Sequence, residues 1–490
     1  MFYGALLSAI HHVFTPSVIF MTFLGTAAGI LIGAVPGLTA TMAVALLIPV
    51  TFGMNPIMGL AMLGGVYSGG MYGGAIASIL LSTPGTPAAA ATVFDGYPLT
   101  RQGKGHLALT VATVASFWGG IISTVALLLL APPLAAVALR FGPPEYFLLA
   151  IMGLMSIVTL TRGNLLKGIL SGFIGLLLAT VGTDPISGYL RFTFGIVDLY
   201  DGISFMPALI GLFSMSQVLE LASETHIVKE LQSKISFGLR RISLPKGLSK
   251  TILRGGIIGT IVGILPGAGA TIAAFISYNI AKQLSKNPES FGKGNPEGVA
   301  ASESANNAVV GGSLVPLLTL GIPGNSVAAA LMGGLMIQGL LPGPELFTRF
   351  GEITYAFILS LFLANIFLLL LGLYGAPLFA RVSTVPNAIL VPAITILSVI
   401  GSYAIKNSMF DVWLMFVFGV MGYFLQRAGF SLGAIVLGLI LGPIAEKGLN
   451  QALILSDGSP LIFFERPLCI VLWIIIFLLL LPAFYRRRST

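Results

Sequence analysis

The sequence predicts an all-α integral membrane protein built from two copies of one unit. Three observations carry that prediction. Of 490 residues, 56% are apolar and 9% charged, whereas roughly a quarter of a soluble chain is charged; mean hydropathy is +0.98. Residues 468–484 (LCIVLWIIIFLLLLPAF) are apolar throughout, close to the ~20 residues a helix needs to span a bilayer, whereas barrel strands would alternate. Finally, a segment near the start of the chain recurs after residue 250.

Apolar runs recur along the whole length, which excludes a soluble multidomain enzyme. At about 20 residues per span, they give about ten to twelve spans. The 61 glycines and 28 prolines are too many for plain helices, so broken helices are expected. Cys469 is the only cysteine, which leaves no disulfide or redox pair within the chain. The opening MFYGALLSAIHHVF has no basic n-region or cleavage site and reads as mature protein.

Charge reports topology in such a chain. Lys229, Lys234, Arg240, Arg241, Lys246, Lys250 and Arg254 crowd the one long polar stretch, against Glu224 and Glu230. That stretch, 224–254, is expected to be a cytoplasmic linker, with ASETHIVKELQSK as a short surface helix. Arg486, Arg487 and Arg488 follow the last span and should also be cytoplasmic. Topology accounts for these charges without a nucleic-acid partner.

The repeat organises the rest. GTAAGILIGAVPGLTAT (25–41) and GGIIGTIVGILPGAGAT (255–271) agree at seven of 17 positions with a shift of 230. With a shift of 239, Pro84-Gly85 and Ala89 to Ala91 fall on Pro323-Gly324 and Ala328 to Ala330. The chain thus divides into a first transmembrane repeat, 1–223, the linker, and a second repeat, 255–490, with a terminal span. Repeats of opposite orientation are the usual plan of secondary transporters, and inversion is expected here.

Candidate sites follow from the repeat. Gly25, Gly29 and Gly33, like Gly255, Gly259 and Gly263, share a helix face, which reads as packing or as a glide surface. Pro36-Gly37 and Pro266-Gly267 then break the helix ahead of small polar runs that include Thr39, Thr41, Gly269 and Thr271. Backbone freed at membrane depth must be buried in protein or line a watery cavity, so these breaks are candidate substrate contacts. The second pair is Ser82-Thr83-Pro84-Gly85-Thr86-Pro87 with its twin Gly321-Ile322-Pro323-Gly324-Asn325-Ser326. Each reads as a re-entrant turn between short arms, with an Ala-rich arm whose free N–H groups could hold a carboxylate. An ordinary interhelical turn is the alternative.

In ASESANNAVVGG, Glu303, Asn306 and Asn307 share a helix face, and with Ser304 they form a candidate ion-coupling group. Glu303 could equally start a helix at the interface. Asp198 and Asp201 read as helix-start residues, and DGYPLTRQGKG from Asp95 onward as a loop. The four histidines show no metal-ligand spacing, and no triad, phosphate loop or dinucleotide fingerprint supports an enzyme or a resident cofactor.

GAVPGLTATMAVALLIPVTFGM, YSGGMYGGAIASILLSTPG, FDGYPLTRQGKG, GILPGAGATIAAFISYNIAK, GVAASESANNAVVGGSLVPLLTLGIPGNS and GLLPGPELF resemble the large membrane subunit of the tripartite tricarboxylate transporter family. The resemblance spans nearly the whole chain. Ser82 and Thr86-Pro87 depart from that family's usual first turn, and Ser302 and Ser304 from its alanine-rich approach to the asparagine pair. The resemblance implies bacterial inner-membrane uptake of a carboxylate, a periplasmic binding protein that delivers it, and a small membrane subunit. It leaves room for a homo-oligomer.

Moving an anion into an inside-negative cell costs about 2.3 kcal/mol per charge per 100 mV, so Na+ or H+ is expected as the coupling ion. Two alternatives remain open at this level: a self-sufficient carrier or channel, and a membrane scaffold.

Overall fold

The computed structural model describes residues 2–160, 165–184, 186–223, 245, 247–267, 269–382 and 385–486. Residues 224–234 of the expected surface helix, most of the basic linker and the arginines at 487 and 488 lie outside these residues.

Helices dominate. The half of the chain before the linker contains α1 (Phe2–Val13), α2 (Pro16–Ala34), α3 (Ala40–Leu47), α4 (Pro56–Leu81), α5 (Ala90–Arg101), α6 (Gly105–Ala138), α7 (Pro143–Leu160) and α8 (Leu165–Ala179). It ends with α9 (Phe205–Ile210), which passes through a π-helical turn into α10 (Ser216–Ser223). The half after the linker starts with α11 (Leu248–Ile264), α12 (Gly269–Leu284), α13 (Pro296–Leu320), α14 (Ser326–Ile337), α15 (Glu345–Thr348) and α16 (Gly351–Leu370). It closes with α17 (Ala376–Val382), α18 (Asn387–Lys406), α19 (Met409–Arg427), α20 (Leu432–Leu455), α21 (Ile462–Glu465) and α22 (Pro467–Arg486). Among the described residues, the β-structure is one short antiparallel pair, Gly182–Thr183 with Leu190–Arg191.

Among the described residues, seven helical stretches are long and apolar enough to cross a membrane, and there are further apolar helices of 10–17 residues. The chain is a multi-pass, all-α membrane protein. Local signals explain why the two central helices begin as they do. Asn55 and Asn295 accept the N–H two residues on, at 3.0 and 2.8 Å, and Pro56 and Pro296 occupy the first turn, where a missing donor costs nothing.

Glycine sets how these helices pack. A Cβ on Gly25 would lie 2.1 Å from the Met62 carbonyl oxygen, one on Gly29 2.4 Å from that of Val66, and one on Gly33 2.4 Å from that of Gly70. Only glycine admits such approaches, and small residues are how helices pair where lipid offers no hydrophobic drive. The rising order on both sides means that α2 and α4 run side by side in the same direction. In the second copy, Gly255, Gly259 and Gly263 meet Ala301, Ala305 and Gly312 in the same order, so α11 and α13 are also parallel.

α3 runs the other way, from Ala40 beside Gly70 to Thr51 beside Gly59. α2 and α3 are therefore a helical hairpin with Pro36-Gly37 at its tip. α12 likewise runs back along α13, since Ser277 Oγ donates to the Ala301 carbonyl (2.7 Å) and Ser285 Oγ to Glu297 (2.7 Å). Its tip is Pro266-Gly267. The open end of the first hairpin is met by Gln338, whose Nε2 donates to the Thr51 carbonyl (2.8 Å); at the second, Gln102 Nε2 donates to the Lys293 carbonyl (2.8 Å). Because α4 and α5 carry the chain from the first of these contacts to the second, the hairpins enter from opposite ends.

Candidate functional site

The tips of both hairpins meet the Pro-Gly turns that follow α4 and α13. Gly85 N–H donates to the Gly74 carbonyl (3.3 Å), and a Cβ on Gly85 would lie 2.2 Å from the Gly33 carbonyl oxygen. In the second copy, a Cβ on Gly324 would lie 2.6 Å from the Gly263 carbonyl oxygen and 2.8 Å from Ser313 Cα. The Gly324 carbonyl also accepts the Gly267 N–H (2.9 Å). Each turn is thus folded back 11 residues along its own helix and pressed against the tip of its own hairpin. The turns start alike, with Ser82 (φ 56°) and Gly321 (φ 71°) as left-handed caps.

One expectation about these turns needs correction. The arms before them are not short: α4 has 26 residues and α13 has 25, long enough to span at 1.5 Å per residue. The helical hairpins are α2–α3 and α11–α12, and the two Pro-Gly turns follow the long helices α4 and α13. Glycine-rich α4 reads as interrupted in sequence because its glycines would weaken an isolated helix, yet they are what its packing against α2 requires.

The two copies meet across this centre. Thr41, in the first turn of α3, places its Oγ1 3.0 Å from Ser326 Oγ at the start of α14. Thr39 caps α3 through the Met42 N–H (3.2 Å), and Asn325 caps α14 through the Ala328 N–H (2.8 Å). Asn325 also donates to the Tyr67 hydroxyl (2.8 Å), which lies 2.8 Å from Ser313 Oγ. The corresponding first-copy arm, the 3-10 turn Pro87–Ala89 and α5, has no side-chain cap. Thr83 Oγ1 donates to the nearby Leu81 carbonyl (3.3 Å). Gly37, Gly267 and Gly269 hold φ of 89°, 79° and 66° at the tips, which glycine tolerates without strain. Pro36, Pro84, Pro266 and Pro323 supply the missing donors that stop the helices. Thr271 lies in the first turn of α12.

The ion-coupling candidates lie deep in the protein: Glu303, Ser304, Asn306 and Asn307 are all 0% exposed. Glu303 is enclosed by protein and lies within α13 and not at its start. Its carboxyl accepts from Thr92 Oγ1, and from Ser116 Oγ at 3.2 Å. Ser304 is spent on structure, donating to the Ile252 carbonyl at 2.6 Å. Asn306 and Asn307 clamp α13 to α4 by donating to the Met71 (3.1 Å) and Ser68 (3.2 Å) carbonyls.

Asp95 departs from the loop reading: it is buried within α5. Its Oδ1 accepts the N–H groups of Gly292, Gly294 and Asn295 (2.9, 2.9 and 2.7 Å), and Tyr278 donates to Oδ2 (2.8 Å). Asp198 lies in a 3-10 turn ahead of α9. Tyr67, Thr92 and Ser116 were missed in the sequence, although the 239-residue shift sets Tyr67 on Asn306 and could have found the first.

A cavity of about 990 Å³ opens at the end away from the linker, beside the 182–204 loop. Arg191, Tyr200, Tyr146, Glu446 and Lys447 line it, and among the described residues Gly321 alone represents the second turn. Arg191 is paired there with Glu446 (2.5 Å) and Asp184 (3.2 Å).

Broken helices meeting at a polar centre inside a multi-pass helical body define a membrane protein of the transport class, where irregular backbone is tolerated because protein encloses it. A sequence model described as the tripartite tricarboxylate transporter TctA family matches residues 19–437. The chain belongs to that family. It is 39% identical to an uncharacterized 52.8 kDa protein in the TAR-I ttuC' 3' region of Agrobacterium vitis, over 97% of this chain and 95% of that protein. An uncharacterized protein in the TAR-II ttuC' 3' region of the same organism is 41% identical, over 47% of this chain and 97% of its own length. No solved structure matches.

Proposed function

We propose that this chain is the large membrane subunit of an ion-coupled importer for di- or tricarboxylates. The observation that carries the reading is the Thr41–Ser326 contact, where the broken elements of the two copies meet. Inverted repeats with discontinuous helices around a central site are how secondary transporters alternate access. The uncapped start of the first-copy arm suits a carboxylate, because helix N-termini offer free N–H groups and a positive dipole end.

The hairpins entering from opposite ends support inversion. The chain then sits in a bacterial inner membrane with linker and C-terminus cytoplasmic and the cavity on the outer side. There a periplasmic binding protein would deliver the solute, with a small membrane subunit completing the assembly. The driving force has to come from Na+ or H+, since inward movement of an anion is opposed by the membrane potential.

The test is uptake of labelled carboxylate into proteoliposomes holding all three parts. Accumulation should require an imposed Na+ or H+ gradient. Accumulation that persists after both gradients are collapsed would refute ion coupling, and full activity of this chain alone would favour a self-sufficient carrier.

A further inference from the structure

Aligning the copies with the 239-residue shift sets Tyr67 on Asn306, Ser68 on Asn307, Gly74 on Ser313 and Thr86 on Asn325. In one half of the molecule Tyr67 on α4 reaches across to Asn325 in the turn after α13, with 2.8 Å between its hydroxyl and the amide nitrogen. The matching contact in the other half would join Asn306 on α13 to Thr86 in the turn after α4. Both elements are in place. Asn306 Nδ2 donates to the Met71 carbonyl (3.1 Å), and one helical turn on, a Cβ at Gly74 would lie 2.5 Å from Thr86 Oγ1.

Asparagine is shorter than tyrosine by most of a ring, and threonine is shorter than asparagine, so the contact is not closed by protein. Among the described residues, Asn306 Oδ1 and Thr86 Oγ1 have no hydrogen-bond partner although their residues are 0% and 3% exposed. Asn307 Oδ1, on the next residue of α13, and Ser68 Oγ, one turn before Met71 on α4, are in the same condition. Leaving such a buried group unsatisfied costs about 1–3 kcal/mol.

The donor set decides what fits between them. Carbonyl and hydroxyl oxygens are hard, neutral ligands that suit hard cations and not soft metals. Charge is supplied nearby. Glu303 precedes Asn306 by three residues on the same helix face, and among the described residues no basic side chain forms an ion pair with it. One monovalent cation would balance that carboxylate.

We propose that Asn306 Oδ1 and Thr86 Oγ1 are ligands of a Na+ site between α13 and the first Pro-Gly turn, and that Tyr67 plugs the equivalent place in the other half. The site is single-sided, so one cation binds where the repeat would allow two. This rests on the importer reading and names the ion for it.

The test is binding of radioactive Na+ to the purified full chain, with thermal unfolding as the control for folding. The native chain should bind Na+ saturably. Thr86→Val, which keeps shape and removes only the ligand oxygen, should weaken binding at least about tenfold, equal to 1.4 kcal/mol. Asn306→Tyr, which copies the plugged half, should abolish it. No saturable binding by the native chain, or native-like binding by the folded variants, overturns the proposal. Na+ binding that disappears in both variants while uptake ignores every ion gradient would keep the site and refute the importer reading. Uptake driven by protons alone, with no Na+ bound, would do the reverse.

Discussion

Thr41 and Ser326 are 285 residues apart in sequence, yet their side-chain oxygens are 3.0 Å apart. This contact ties the outgoing limb of one helical hairpin to the turn that ends the opposite copy's long helix, and each hydroxyl lies within a turn of a Pro-Gly break. In the importer reading, movement of one copy against the other must break or remake it.

Thr41→Val and Ser326→Ala each remove one partner. A partly buried neutral hydrogen bond is worth about 1 kcal/mol net, so thermal unfolding in detergent should register a small loss for either. Uptake should fall by about tenfold, the factor that 1.4 kcal/mol implies, and the double variant should do little further harm because the two changes remove one interaction. Strictly additive losses would refute the coupling.

Gly85 and Gly324 face carbonyl oxygens at distances no Cβ can accept, 2.2 and 2.6 Å. Gly85→Ala or Gly324→Ala should therefore shift the turn off its hairpin tip, costing about 1–3 kcal/mol as overpacking does. Gly339, whose Cβ would meet nothing within 4 Å, has φ of 74° and so is no clean control. Gly4→Ala, with open space and ordinary φ, is. Wild-type melting and uptake in Gly85→Ala would mean that the close approach has no role.

Much of this architecture was legible in the sequence, for physical reasons. Lipid demands long apolar runs, and a duplicated sequence preserves its glycines and prolines where backbones touch, so the hairpin tips and both turns could be read. What could not be read was pairing between copies. Nothing local in Thr41 announces Ser326, and the length of α4 was hidden because its glycines look like interruptions until α2 is packed against them. Asp95 read as loop because Gly96 and Pro98 follow it, whereas its carboxylate is needed inside to collect three backbone N–H groups of the second copy.

That collection predicts a large effect. Asp95→Ala would leave the N–H groups of Gly292, Gly294 and Asn295 without their acceptor, at a cost of about 3 kcal/mol or more. Asp95→Asn keeps one acceptor oxygen and should lose about half as much. Limited proteolysis should cut the 285–295 segment faster in Asp95→Ala than in Asp95→Asn, and faster in both than in the native chain. Equal cleavage of all three would exclude a latch between α5 and that segment.

The cavity-side loop gives a pH dependence whose sign is fixed. The Asp184 carboxyl is held below the ordinary aspartate value, first by the Ser187 and Ile186 N–H groups, with Arg191 adding to them. A lowered folded value means that its contribution is complete above the ordinary pKa of about 3.9 and is lost as pH falls through the lower folded one. Amide exchange at Ile186 and Ser187, corrected for intrinsic rate, should be slow near neutrality and accelerate only in acid. Asp184→Asn should remove the acid transition, and a transition that survives it would place the titrating group elsewhere.

Glu303 gives the most direct handle on coupling. Its carboxyl is fully enclosed, held by the hydroxyls of Thr92 and Ser116, and a buried charge without a partner is too costly to keep unless a proton or metal ion accompanies it. Glu303→Gln preserves volume and one acceptor but can carry neither. The variant should fold with a loss of about 1–2 kcal/mol, still exchange labelled for unlabelled solute at equal concentrations across the membrane, and fail to accumulate it against a gradient. Retained accumulation in Glu303→Gln would mean that the driving ion is carried by other groups.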